Sequence, residues 1–193
     1  MQLSNSLWIE RLGHAVVIRF TRPEIRNPLS VEVLEELIEV LAALGNDVRA
    51  VVFTGSRDAF ASGADLREIA EVTGSTARQF ALRGQRLMNL IEAVEARTFA
   101  AVNGFCFGGA LDLALACDSR IASPNALFCH PGAGLGIMTG WGGTQRLPRL
   151  IGEASAIEMF LTGKQVSAVE ALNLGLIDDI VVDPAASAIQ AYL

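Results

Sequence analysis

Apolar residues recur along this chain in short runs of strand length and in longer stretches of helical period. Leu7 to Arg11 and Ala15 to Phe20 read as two strands hinged at Gly13-His14, the pattern of a hairpin. Thr21 to Pro28 is polar and punctuated by proline, which predicts a loop. After Ser30, Val33, Leu34, Leu37, Ile38 and Leu41 fall on one face of a helix running to Leu44, with Ser30 as its cap. Arg49 to Thr54 is an apolar run closed by Gly55 and Ser56, a strand and its turn. A helical stretch over Arg78 to Val94 leads to a second apolar strand, Phe99 to Val102, which enters Asn103-Gly104.

Gly109 to Cys117 is small or apolar everywhere except Asp112, so the pattern predicts a helix buried on most sides. Ser119 to Ile121 and Leu127 to Cys129 read as short strands, and Gly132 to Gly143 as a glycine-rich loop. Gly142 to Leu150 and Glu153 to Leu161 read as helices, Ser167 caps another that ends near Gly175, and Ile177 to Val182 reads as a last strand. Pro184 to Leu193 can begin a helix. Strands alternating with helices predict an α/β fold, and no low-complexity linker divides the chain, so residues 1–193 read as a single domain.

Composition narrows the chemistry. With 193 residues and 51% apolar side chains the chain can build a sizeable core, and a net charge of -6 argues against a nucleic-acid partner. Cys106, Cys117 and Cys129 are an odd set among small and apolar neighbours, which predicts a reducing, cytoplasmic setting rather than a disulfide scaffold. With only His14 and His130 besides, no metal cluster is expected. The chain opens with no basic and apolar leader pattern. Its longest apolar stretch, Ala93 to Ala116, is broken by Glu95, Arg97, Asn103 and Asp112, so no membrane partner is expected.

Two glycine-bearing turns stand where strands hand over to helices, Ala61-Ser62-Gly63-Ala64-Asp65 and Phe107-Gly108-Gly109-Ala110. Helix starts expose unpaired N–H groups and the positive end of the helix dipole. Facing each other, such turns could hold an oxyanion; apart, the glycines serve only tight turns and close packing. Neither turn has the lysine and hydroxyl of a P-loop or the dinucleotide glycine spacing. Asp112, among leucines, must be hydrogen-bonded, paired or protonated if buried. His130 precedes Pro131 and a glycine run, where an imidazole could meet a ligand or simply pack. Arg22, Arg26, Arg57 and Arg67 flank loops from which they could reach a phosphate, and Trp141 could line a pocket.

The segment Ala-Val-Asn-Gly-Phe-Cys-Phe-Gly-Gly-Ala-Leu-Asp-Leu-Ala-Leu-Ala-Cys-Asp, from Ala101 to Asp118, resembles the enoyl-CoA hydratase/isomerase, or crotonase, family. Phe-Ala-Ser-Gly-Ala-Asp-Leu at Phe60 to Leu66 and Gly-Trp-Gly-Gly-Thr-Gln-Arg-Leu-Pro-Arg at Gly140 to Arg149 are similar to two further family motifs in the same order. The resemblance implies a crotonase-like fold of repeated ββα units and an acyl-CoA substrate, with CoA as part of the thioester and no separate cofactor. It also implies a homotrimer or a dimer of trimers. At the matching positions, the backbone N–H groups of Ala64 and Gly109 are the expected oxyanion donors and Asp112 the expected acid/base. Arg26, Ala61, Ser62, Asp65, Leu66, Phe105, Gly108, His130, Gly132 and Trp141 are the expected substrate-binding residues.

Two departures from the family pattern qualify what the resemblance implies. Its hydratases commonly use two glutamates; Asp112 stands at the first position and Gly132, which has no side chain to move a proton, at the second. The expected reaction is hydration of a 2-enoyl thioester through an oxyanion-stabilised enolate, with Asp112 acting alone, through a water, or with His130. Isomerisation, decarboxylation, thioester hydrolysis and non-catalytic acyl-CoA binding are the alternatives. Family members also continue into a C-terminal helical region, much of which is not expected here because the sequence stops at Leu193.

Overall fold

The computed structural model describes residues 6–193; the leader position considered above lies partly outside them. Strands β1 (Leu7–Leu12) and β2 (Ala15–Phe20) form the expected hairpin, with Ile9 opposite Ile18. The loop that follows departs from the expected irregular one. It carries a 3₁₀ turn at Pro23–Ile25 and a two-residue strand β3 (Pro28–Leu29). Asn27 is the reason: its amide nitrogen donates to the carbonyls of Ala59 and Phe60, both at 3.0 Å, and its side-chain oxygen accepts from the Arg22 N–H at 2.7 Å. One buried side chain thus stitches the loop to a distant segment. Helix α1 (Val31–Ala42) is capped by Ser30, which accepts from the Val33 N–H, and buries the five predicted apolar residues.

Three successive units then repeat one plan. In each, a first strand joins a large sheet, a second joins a small sheet, and a helix follows. The first unit is β4 (Ala50–Thr54), β5 (Ala59–Ala61), a two-residue β6 (Gly63–Ala64) paired with β3, and helices α2 (Leu66–Ala70) and α3 (Ala77–Ala93). The second is β7 (Arg97–Val102), β8 (Phe105–Phe107) and α4 (Gly109–Ala116). The third is β9 (Ser119–Ala122), β10 (Leu127–Cys129), a 3₁₀ turn at Pro131–Leu135 and α5 (Gly143–Ile151). Next come α6 (Glu153–Thr162), β11 (Val166–Ser167), α7 (Ala168–Asn173), β12 (Asp179–Ile180) and α8 (Pro184–Ile189). The last strand is shorter than the predicted Ile177 to Val182. Ile177 is buried but its N–H turns back to Ala171, and Val182 is 92% exposed.

The large sheet runs β1-β2-β4-β7-β9-β12, parallel from β2 onward, and the small one β11-β10-β8-β5. Strand β4 is buried along its whole length because both faces of the sheet are covered. Its alternation divides two cores. Val51 and Phe53 face the main core with α1 and α3, whereas Ala50 and Val52 share the opposite layer with Phe99 and with Ala188 of α8. Because each unit returns its small-sheet strand toward a helix start, the β6 and β8 ends are brought to one place.

Candidate active site

The two glycine turns meet. Gly63 has φ +86°, and a Cβ there would lie 2.6 Å from the Gly109 nitrogen and 2.6 Å from the Phe107 carbonyl oxygen. Only a residue without a side chain lets the β6 turn close on the start of α4 in this way. Gly108 caps α4 and is itself tied to β10 by a 2.8 Å bond from its N–H to the Cys129 carbonyl. The Gly109 N–H is the first of the helix and has no carbonyl within the helix to bond. Ser62, Ala64, Gly108 and Gly109 therefore form one wall of a cavity of about 380 Å³. Its other walls are mostly apolar and include Leu66, Ile69, Phe80, Ile137, Trp141 and Phe160.

Trp141 sets the position of α4 against α3. Its ring fills the space that side chains would need at both Gly84 and Gly109, where a Cβ would come within 2.2 and 2.3 Å of ring atoms. The indole is 3% exposed and its ring centroid lies 6.0 Å from that of Phe80. Arg146, one turn into α5, holds the arrangement from outside by donating to both Glu92 oxygens, at 2.8 and 2.7 Å, and to the Trp141 carbonyl at 3.2 Å.

Behind the glycine wall lies Asp112, fully buried in the first turns of α4. Its Oδ2 accepts a hydrogen bond from the Thr139 hydroxyl. Its Oδ1 faces the His130 Nε2 at 3.5 Å, too far for a good hydrogen bond, and neither atom has another partner. Gly143 of α5 presses on the same carboxyl, since a Cβ there would stand 2.0 Å from Oδ1. Burial raises the Asp112 pKa from 3.8 to about 7, against the pull of the Thr139 hydroxyl and the Arg146 charge. Burial lowers that of His130 from 6.5 to about 4, so the imidazole is neutral at pH 7 and the two do not form an ion pair.

Of the predicted site residues, Ser62, Ala64, Leu66, Gly108, Gly109, His130, Gly132 and Trp141 line the cavity. Asp112 adjoins it but is walled off by side chains that do line it, Thr139 and His130. Arg26 and Phe105 lie elsewhere, the guanidinium stacked 4.7 Å from the ring centroid, and Ala61 is buried in the main core. Asp65 caps α2 through the Arg67 N–H at 2.9 Å and pairs with the Arg67 side chain at 2.6 Å, beside a separate polar pocket with Arg22 and Glu68. Gly132 sits in the turn after His130, where a Cβ would be 2.5 Å from the Ile137 carbonyl oxygen. The residue that sequence reasoning missed is Thr139. Its signal was that it carries the only hydroxyl between Gly132 and Gly143.

Among the described residues no group of three or more His, Cys, Asp or Glu side chains could hold a metal ion, and no helix is long and apolar enough to cross a membrane. The three cysteines are buried and free.

Comparison with known proteins agrees with this architecture. The chain is 40% identical over 184 residues to the short-chain-enoyl-CoA hydratase of Clostridium acetobutylicum, covering 94% of this chain and 70% of that protein. It is 40% identical over 176 residues to the crotonyl-CoA hydratase of Syntrophomonas wolfei, covering 90% of this chain and 68% of the relative. The crystal structure of the enoyl-CoA hydratase from Bacillus anthracis superposes with a TM-score of 0.88 at 36% identity, over 96% of this chain and 73% of that one. The model of the enoyl-CoA hydratase/isomerase family matches residues 11–189, and with the ββα repeats and the paired glycine turns this places the chain in that family.

Proposed function

We propose that this chain is an acyl-CoA enzyme that adds water to, or removes it from, a 2-enoyl thioester through an enolate. The observation that carries the reading is the convergence of the Ala64 and Gly109 turns on one wall of an apolar cavity, with a buried carboxyl directly behind it. A thioester oxygen placed between the two N–H groups gains negative charge as water adds to the β carbon. Fixed donors set among largely apolar walls stabilise that charge without reorganising. The apolar walls suit the acyl chain, and Asp112 handles the proton. The hydratase names of the two bacterial relatives support the same chemistry.

The same reading makes residues 1–193 one acyl-CoA-binding unit that assembles as a homotrimer or a dimer of trimers in the cytoplasm. Buried, free cysteines fit a reducing compartment. One observation favours a second reading. Among the described residues no carboxylate lines the cavity, so a reaction that forms the enolate without removing a proton from water, such as decarboxylation of a malonyl-type thioester, fits the site too.

The test is incubation with crotonyl-CoA and, separately, a malonyl-type thioester, followed by mass spectrometry. Gain of one water by the enoyl thioester supports hydration, and loss of carbon dioxide from the other supports the second reading. Tight binding of both with conversion of neither refutes an enzymatic role for the site with these substrates.

A further inference from the structure

Asp112 has no surface in the cavity, so a carboxylate expected to move a proton at the substrate cannot touch it. Two side chains stand between the carboxyl and the cavity. His130 is poorly suited to carry a proton: its Nε2 lies 3.5 Å from Oδ1 without a hydrogen bond, and burial disfavours its charged form. Thr139 is half-buried, lines the cavity, and donates its hydroxyl hydrogen directly to Asp112 Oδ2. Its methyl group rests close to Gly143, 3.1 Å from where a Cβ would stand, which helps to hold the hydroxyl toward the carboxyl.

We propose that Thr139 is the proton relay through which Asp112 acts on substrate in the cavity. The inference rests on the acyl-CoA hydratase reading above and completes it. In hydration, the water oxygen bonds to the β carbon while one water proton passes to Thr139 Oγ1 and the threonine proton passes to Asp112 Oδ2. The electrons of the carbon–carbon double bond move onto the thioester oxygen between Ala64 and Gly109. As the enolate collapses, the carbonyl re-forms and the α carbon takes the proton from Thr139 Oγ1, while Asp112 returns its own to that oxygen. Water has then been added and both side chains end as they began. A carboxyl whose pKa lies near 7 accepts and returns a proton at neutral pH with little cost in either direction. The other titratable or charged groups about it are His130 facing Oδ1, Arg146 of α5, and the buried thiol of Cys106 on β8.

The experiment compares wild type, Thr139→Ser and Thr139→Val in crotonyl-CoA hydration, with kcat and KM measured separately across pH. Val matches the shape of Thr and carries a methyl in place of the hydroxyl. A relay predicts that Thr139→Val loses about 10²-fold or more in kcat with KM little changed, and that Thr139→Ser restores most of the rate. Without the hydroxyl that holds the Asp112 pKa down, the residual activity of Thr139→Val should also show its acidic limb at higher pH. A side chain needed only for packing would leave Thr139→Val, which keeps its shape, close to wild type and would make Thr139→Ser, which lacks the methyl beside Gly143, the more impaired of the two. An active wild type with Thr139→Val within threefold of its kcat overturns the relay alone. A wild type that neither hydrates crotonyl-CoA nor exchanges the α protons of butyryl-CoA with solvent deuterium overturns the hydratase reading and the relay with it.

Discussion

Replacing Asp112 by Asn should make the protein more stable at pH 8 and far less active, and the two effects have one origin. The carboxyl is fully buried, with a pKa of about 7 in place of 3.8. The folded state therefore holds this proton more tightly than the unfolded chain does. Its favourable contribution is complete below pH 3.8 and is lost as the pH rises through about 7. At 1.36 kcal/mol per pH unit, the separation corresponds to about 4 kcal/mol of stability missing at pH 8. Asn keeps the shape, carries no charge, and can accept from Thr139 while its amide donates to the orphaned His130 Nε2.

Asp112→Asn should accordingly exceed wild type in unfolding free energy by up to about 4 kcal/mol at pH 8, and by almost nothing near pH 4. His130 runs the other way. Its folded pKa of about 4 lies below 6.5, so its contribution is present above pH 6.5 and lost as the pH falls through about 4, an effect of about 3 kcal/mol. In wild type the two slopes largely cancel between pH 4 and 6.5; in Asp112→Asn the histidine slope should emerge alone. Urea unfolding followed by tryptophan fluorescence at pH 8, 6 and 4 measures both. A variant less stable than wild type at pH 8, or a difference that does not change with pH, would refute the assignment of a buried, proton-binding carboxyl. The same variant should lose about 10²- to 10⁴-fold in hydration kcat if Asp112 is the proton store of the site.

Two glycines offer complementary perturbations. Gly143→Ala places a methyl 2.0 Å from Asp112 Oδ1, so the carboxyl or α5 must move. The expected outcome is a loss of about 1–3 kcal/mol in urea unfolding and a fall in kcat larger than any change in acyl-CoA affinity. Gly132→Glu, which supplies a carboxylate at the position where the family's hydratases commonly have one, should fail to raise hydration. Its Cβ would stand 2.5 Å from the Ile137 carbonyl, on the strand of the loop that closes back through a 3.0 Å bond from the Ile137 N–H to the Gly132 carbonyl. Higher kcat in this variant would show that the loop tolerates a side chain there.

Much of the fold was legible because it depends on period and punctuation. The buried face of α1, the apolar β4 and the Ser30 and Ser167 caps follow from local sequence. Strands β3, β5, β6 and β8 were not legible: with two or three residues each they have no period, and they exist because neighbours offer hydrogen bonds. The two glycine turns stand out in the local sequence, but only the family motifs choose between turns that face each other and turns that merely pack. Their juxtaposition depends on a contact between Gly63 and Gly109, 46 positions apart in the numbering, that no local signal encodes. Arg26 and Asp65 do not line the cavity: the Arg26 guanidinium lies over the Phe105 ring, and Asp65 caps α2 through the Arg67 N–H and pairs with the Arg67 side chain. Asp112 could be seen to be buried among leucines, but its separation from the cavity required the loop from Gly132 to Gly143 to return across it.

That loop links the two departures of this chain from the two-glutamate pattern. At its start, Gly132 removes a side chain and the backbone of Ile137 occupies the place where one would begin. Near its end, Thr139 brings a hydroxyl onto the buried Asp112 carboxyl, one methylene shorter than glutamate. A shorter acid on α4 reaches less far, and a hydroxyl interposed at the cavity wall spans that distance. With one proton store and one exit, protons would leave and return by the same route, and both new bonds to the substrate would form from the side on which Thr139 stands. The chemistry available to this site is then set less by which carboxylates it has lost than by how the returning loop gives the remaining one access to the cavity.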